Sequence, residues 1–154
     1  MRTWHVPLVA VIALAIQFEA EAQRTADTRD EGEAFLAENA EREGVVTLAS
    51  GLQYEVLAEG DGATPKRRST VVVHYTGTLV DGTQFDSSHQ RGVPARFPVN
   101  RVIPGWTEAL QRMQVGDRWR LYIPPDLAYR DRKDIPLIPP GSTLIFEVEL
   151  LEVL

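Results

Sequence analysis

The 154-residue chain contains no cysteine, which excludes disulfides, thiolate metal sites and a cysteine nucleophile. Histidine is scarce. His5, His74 and His89 show no ligand spacing such as His-Glu-x-x-His, so no metal site is expected. There is no Gly-x-Ser-x-Gly elbow and no glycine-rich phosphate cradle. Asp86-Ser87-Ser88-His89 holds the residue types of a hydrolase triad, but immediate neighbours rarely supply triad geometry, and a hydrogen-bonded loop is the expectation. Basic charge is the minority sign, with 16 Lys and Arg against 22 Asp and Glu and a net charge of −6. That argues against nucleic acid as a partner, because binding phosphate needs a basic face. Lys66-Arg67-Arg68 is the one basic cluster and reads as a solvated loop. No apolar run reaches the roughly 20 residues that span a bilayer, and no internal repeat or low-complexity tract is present.

What is present fits a packed globular chain: 44% hydrophobic and 25% charged residues, at a length suited to one ordinary domain. The start reads as a leader. Arg2 and His5 are weakly basic, residues 6–16 are apolar apart from Pro7, and Ala20-Glu21-Ala22 is the small-x-small pattern that a signal peptidase reads. The expectation is a signal peptide over 1–22, a periplasmic or secreted protein, and no stable membrane association after cleavage. An uncleaved anchor would leave the same domain on the same side of the membrane. Residues 23–49 read as a short polar lead-in. Good helix formers run from Glu33 to Glu38, Phe35 and Leu36 are the only large apolar residues before the stop at Gly44, and so narrow a stripe predicts a partly frayed helix.

From Leu52 the signals are those of strands. Val71, Val73, Tyr75 and Leu79 share one face, and Asp81-Gly82 marks a tight turn. Trp119, Leu121 and Ile123 point one way while Arg118 and Arg120 point the other. Leu144, Phe146, Val148 and Leu150 alternate with Glu147 and Glu149. Such alternation belongs to antiparallel sheets with one buried face. One helix interrupts them, with Trp106, Leu110 and Met113 on a stripe, Pro104 in the first turn and Gly116 as its end. The predicted fold over 50–154 is α+β: a curved antiparallel sheet, a half-barrel, wrapped around one short α-helix. Without a nucleophile, what remains is an aromatic and aliphatic set, and spacing alone reads Trp106 as core.

Several ordered blocks change that reading. Gly51-Leu52-Gln53-Tyr54, Val72-Val73-His74-Tyr75-Thr76-Gly77, Gly82-Thr83-Gln84-Phe85-Asp86-Ser87-Ser88 and Val102-Ile103-Pro104-Gly105-Trp106 come first. Met113-Gln114-Val115-Gly116, Ile123-Pro124-Pro125-Asp126-Leu127-Ala128-Tyr129 and Ile138-Pro139-Pro140-Gly141-Ser142-Thr143-Leu144-Ile145-Phe146 follow. Over about 100 residues the chain resembles the FKBP-type prolyl isomerases, and residues 34–50 resemble the approach to the domain in the bacterial Mip-like subgroup. The resemblance implies the same half-barrel and cis/trans isomerisation of X-Pro bonds in exported polypeptides. It implies no cofactor, and inhibition by macrolides of the rapamycin class. It implies Tyr75, Phe85, Asp86, Ile103, Trp106, Tyr129 and Phe146 as catalytic residues and Phe97, Val102 and Ile138 as substrate-binding ones. The Ile103 N–H and the Tyr129 hydroxyl would donate hydrogen bonds to carbonyls. Asp86 would interact with the carbonyl region, or alternatively tie down its own loop.

The segment after Tyr129 departs from the family pattern. Many members have a glycine-rich loop where this chain reads Arg130-Asp131-Arg132-Lys133-Asp134-Ile135-Pro136-Leu137, with Asp134 near where some members carry a histidine. Charged residues and proline restrict φ and ψ and alter the pocket rim. Mip-like proteins often dimerise through a long helical arm; the short stretch before this domain predicts a monomer. A proline-peptide-binding module or holdase chaperone with little catalysis is the alternative function, and a small-ligand carrier a third.

Overall fold

The computed structural model describes residues 7–154, so the basic start at Arg2 and His5 lies outside the described residues. The elements run in the order α1 (Leu8–Ala40), β1 (Val45–Thr47), β2 (Gln53–Ala58), β3 (Thr70–Leu79), β4 (Gln84–Ser87), α2 (Ser88–Arg91) and β5 (Ala95–Pro98). A 3₁₀ turn (Val99–Arg101), α3 (Pro104–Leu110), β6 (Arg118–Ile123), a second 3₁₀ turn (Pro125–Leu127) and β7 (Leu144–Val153) complete the chain. Among the described residues seven strands form one antiparallel sheet in the order β1-β2-β6-β7-β3-β4, with β5 also paired to β3. The sheet does not close on itself.

The predicted alternation sets the faces. Along β7, Leu144, Phe146, Val148 and Leu150 are buried, while Glu147 and Glu149 are half-exposed. On β6, Trp119, Leu121 and Ile123 turn inward. These residues join Val71, Val73 and Tyr75 of β3 in one core against α3, which contributes Trp106, Ala109 and Leu110, with Met113 just beyond it. Burying such side chains contributes roughly 1.5–3 kcal/mol each. Pro104 does open α3, but the helix ends at Leu110 rather than near Gly116. Asp117 explains the early stop: its carboxylate accepts the Gln114 N–H at 2.8 Å and the Gly60 N–H at 2.6 Å, pulling the chain into a turn.

The lead-in differs from the expectation of a short frayed helix. α1 is 33 residues long. Its first part exposes Leu8, Val9, Leu14, Ile16 and Phe18, and no helix among the described residues is long and apolar enough to cross a membrane. Its last part docks on the outer face of the sheet. The Phe35 ring lies 5.9 Å from Tyr122, Asn39 donates to the Gln53 side chain at 2.8 Å, and the Gln53 amide donates to the Leu36 carbonyl at 2.9 Å. A stripe too narrow to stabilise an isolated helix suffices once the sheet supplies the other half of the contact. Gly32 lets the helix approach closely, since a Cβ there would stand 2.3 Å from Thr143 Oγ1.

The Asp86-Ser87-Ser88-His89 run is a hydrogen-bonded corner, as expected. Ser87 caps α2 by accepting the Gln90 N–H, and buried Ser88 bonds the Tyr75 N–H and His74 Nδ1, both at 2.8 Å. The His89 ring stacks on His74 at 4.3 Å. Asp86 bonds neither serine nor histidine side chain; its carboxylate is engaged elsewhere.

Candidate active site

One cavity of about 620 Å³ opens on the concave side of the sheet. The fold brings all ten sequence-predicted site residues to its wall, from eight separate places. Tyr75 comes from β3, Phe85 and Asp86 from β4, Phe97 from β5, and Val102 and Ile103 from the link into α3. Trp106 comes from α3, Tyr129 follows the second 3₁₀ turn, Ile138 lies before β7, and Phe146 is on β7.

Aromatic packing shapes the interior. Tyr75, Phe97 and Phe146 each stand nearly perpendicular to the Trp106 indole, at centroid distances of 5.2, 5.6 and 5.2 Å. Edge-to-face pairs of this kind are worth about 0.5–1.5 kcal/mol beyond area burial, so they hold the rings in place before any ligand arrives. Phe85 packs on Phe146 at 87° and 5.4 Å. Gly77 makes that possible, because a Cβ there would come 2.6 Å from the Phe85 ring and 2.8 Å from Phe146. Trp106 is 4% exposed, and its indole N–H has no hydrogen-bond partner among the described residues. It is core and cavity floor at once.

A polar group sits at one edge. The Tyr75 hydroxyl donates to Asp86, Arg91 donates to the other Asp86 carboxylate oxygen, and Arg91 Nη2 donates to the Tyr75 hydroxyl at 2.9 Å. The Arg91 guanidinium also lies 5.6 Å from the Tyr75 ring centre. Burial alone would push the Asp86 carboxyl up, but the hydrogen bonds from Tyr75 and Arg91 outweigh it and hold the group below the ordinary carboxylate range. Burial, helped by the neighbouring Asp86, pushes the Tyr75 phenol up. Burial and then the Asp86 charge do the same for Tyr129. Both phenols therefore remain protonated donors at neutral pH. The Tyr129 hydroxyl makes no hydrogen bond among the described residues, nor does the Ile103 N–H, while the Ile103 carbonyl accepts the Trp106 N–H at 3.0 Å.

Arg91, Arg101, Ala128, Arg132, Ile135 and Pro136 were not singled out from the sequence. Arg91 completes the Tyr75–Asp86 group, and the other five line the cavity. For Arg132, Ile135 and Pro136 the prior signal was the unusual charged segment after Tyr129, whereas Arg91, Arg101 and Ala128 lie outside it. That segment is bounded by Arg130 (φ 53°) and Leu137 (φ 65°), the only non-glycine residues with positive φ among those described. Left-handed backbone costs an ordinary residue roughly 1–2 kcal/mol, so outside contacts must hold the loop. Asp134 accepts two hydrogen bonds from Arg132, at 2.9 and 2.6 Å. Among the described residues no group of three or more metal-ligating side chains occurs.

The site is an open half-barrel with an aromatic cleft, two protonated phenols and a hydrogen-bonded carboxylate at its edge, the kind of mostly apolar concave site with a few polar groups that binds a ligand. The FKBP-type peptidyl-prolyl cis-trans isomerase model matches residues 62–151, and the model of the domain amino-terminal to such isomerases matches residues 9–56. The chain belongs to the FKBP-type peptidyl-prolyl cis-trans isomerase family. It is 60% identical over 124 residues to the FKBP-type 22 kDa peptidyl-prolyl cis-trans isomerase of Escherichia coli K12, covering 80% of this chain and 60% of that protein. It is 48% identical over 131 residues to the outer membrane protein MIP of Legionella longbeachae, covering 85% of this chain and 56% of that one. The crystal structure of FkpA from E. coli superposes with a TM-score of 0.83 at 41% identity, over 96% of this chain and 73% of that chain. A peptidyl-prolyl isomerase from Pseudomonas syringae gives a TM-score of 0.77 at 40% identity, over 84% of this chain and 95% of that one. The chain thus spans about three-fifths or less of the length of these two curated relatives.

Proposed function

We propose that this chain is a peptidyl-prolyl cis/trans isomerase that turns X-Pro bonds of exported polypeptides by favouring the twisted amide in an apolar cleft. The observation that carries the reading is the convergence of the ten predicted residues on one cavity. Rotation about the bond is slow because amide resonance must be lost, a barrier of about 18–20 kcal/mol. No nucleophile is needed. The twisted amide carries less charge separation than the planar one, so a water-poor aromatic site disfavours the ground state relative to the transition state. Trp106 would seat the pyrrolidine ring, with Phe97, Val102 and Ile138 around it. The Ile103 N–H and the Tyr129 hydroxyl would hold flanking carbonyls, and Asp86 would keep Tyr75 and Arg91 fixed at the cleft edge.

The same reading includes inhibition by rapamycin-class macrolides, which would fill this cleft. The test is NMR exchange of a short Leu-Pro peptide with the purified chain, with and without rapamycin. Acceleration that the macrolide abolishes supports activity and site together. Acceleration that it leaves intact keeps the isomerase and removes the macrolide. No acceleration from folded protein favours a binding module or holdase using the same cleft.

Residues 1–22 would be a cleaved leader, 23–49 a lead-in and 50–154 the isomerase domain, acting in the periplasm or outside the cell. The Legionella relative is named an outer membrane protein, which fits export. Cleavage after Ala22 would remove the exposed apolar side chains of Leu8, Val9, Leu14, Ile16 and Phe18. The 23–154 product would then be monomeric. A stable dimer of that fragment in sedimentation at micromolar concentration would overturn the monomer.

A further inference from the structure

Helix α1 grips the segment 130–137 from outside the cavity. Arg29 Nε donates to Asp131 Oδ1 at 2.9 Å, and Arg29 Nη2 lies 3.5 Å from Asp126 Oδ1. One guanidinium therefore reaches the chain on both sides of Tyr129. Lys133 Nζ adds a second tie to Glu21 Oε2 at 2.8 Å. The approach is also close sterically. The Gly141 N–H closes the loop on the Arg130 carbonyl at 2.7 Å, and a Cβ at Gly141 would stand 2.8 Å from Arg29 Cγ and 3.1 Å from the Thr25 carbonyl. On the loop's other side Arg132, Ile135 and Pro136 line the cavity.

We propose that α1 is a positioning element of the peptide cleft, with Arg29 as its chief positioning residue; this rests on the isomerase reading above. The segment 130–137 begins and ends in left-handed backbone, which it would leave if released. A released loop populates the binding-competent shape only part of the time, and apparent affinity falls by that fraction. An exposed ion pair alone would do little, but Arg29 is 29% exposed, engages two carboxylates and packs its stem on Gly141. Arg29 outranks Glu21 for a second reason: cleavage after Ala22 would remove Glu21 and keep Arg29. The loop's own cavity-lining residues, Arg132, Ile135 and Pro136, are not among those assigned to catalysis, so its loosening is expected to weaken binding more than turnover.

The test compares the full chain with Arg29→Ala, Asp131→Ala, the double variant, Arg29→Lys, and Gln23→Ala, whose side chain reaches only Asp27 on the same helix. Arg29→Ala is expected to raise KM for a Leu-Pro peptide about three- to ten-fold with kcat within roughly two-fold. The double variant should be no worse than Arg29→Ala, Arg29→Lys should recover part of the loss, and Gln23→Ala should match wild type. Amide hydrogen exchange at Arg130, Arg132 and Gly141 should quicken in Arg29→Ala. Unchanged KM with unchanged exchange, or strictly additive losses in the double variant, would overturn the proposal. If the wild-type chain accelerates no proline isomerisation, the functional reading fails by itself, and the exchange rates then decide the positioning role: faster exchange supports it and equal exchange removes it.

Discussion

A Trp106→Ala variant is expected to lose about 3–5 kcal/mol of stability together with all measurable isomerase turnover. The indole is 4% exposed and is the common neighbour of Tyr75, Phe97 and Phe146. Removing it leaves a void inside the core and lets three rings relax into the cleft, so substrate loses its floor while the fold loses its packing. Denaturant unfolding reads the first loss and peptide exchange the second. Trp106→Phe separates them. The indole N–H has no hydrogen-bond partner among the described residues, so phenylalanine forfeits no hydrogen bond and retains an edge-to-face partner. That variant should stay folded and keep part of the activity. Wild-type stability in Trp106→Ala would show that the indole is not part of the core.

The second large effect is expected at Asp86. Asp86→Asn keeps the shape but removes the charge that accepts from both Tyr75 and Arg91, and an amide nitrogen must then face one of these donors. We expect kcat/KM to fall about ten-fold or more as the edge of the cleft loses its fixed dipoles. The Asp86 side chain is 37% exposed, so the stability cost should stay near 1 kcal/mol. If kcat/KM is unchanged while stability falls, Asp86 only ties down its own loop.

The pH dependence follows from the same three groups. Against the push of burial, hydrogen bonds from Tyr75 and Arg91 lower the Asp86 value in the fold, so its stabilising contribution is present above the unfolded carboxylate value and disappears as pH falls through the lower folded one. Burial raises Tyr75 and Tyr129, so their contribution is complete below the ordinary phenol value and disappears only as pH rises through the higher folded one. Wild-type kcat/KM should therefore be flat between about pH 5 and 9. A titration inside that window would assign the activity to some other group.

Much of the site was legible because the residues that build it fall in the short ordered blocks that carry the family resemblance, where spacing alone read Trp106 as core. Val102-Ile103-Pro104-Gly105-Trp106 carries its own helix start, since Pro104 suits the first turn of α3. Tyr75 and Phe146 sit on strands whose alternation already fixes which way they point. Arg91 was missed because it lies beyond the Asp86 block, at the end of a four-residue helix, and only the corner made by Ser87 and Ser88 brings it back to the carboxylate. α1 was misjudged for a related reason. Phe35 and Leu36 are too few to stabilise a helix alone, and the sequence does not show that Tyr122 and Gln53 face them from the sheet.

Taken by itself, then, the sequence determined the α+β half-barrel and its buried faces, because period-2 alternation and turn chemistry act over a few residues, while the ten cleft side chains came from the family resemblance that its ordered motifs carry. The tertiary structure decided that α1 is one long docked helix, that Arg91 joins Tyr75 and Asp86, and that Arg29 reaches across to Asp126 and Asp131. Apart from Arg91 and Asp86, which are five positions apart, those contacts join residues distant in the chain, and no local pattern encodes which distant charge or ring will be folded against them.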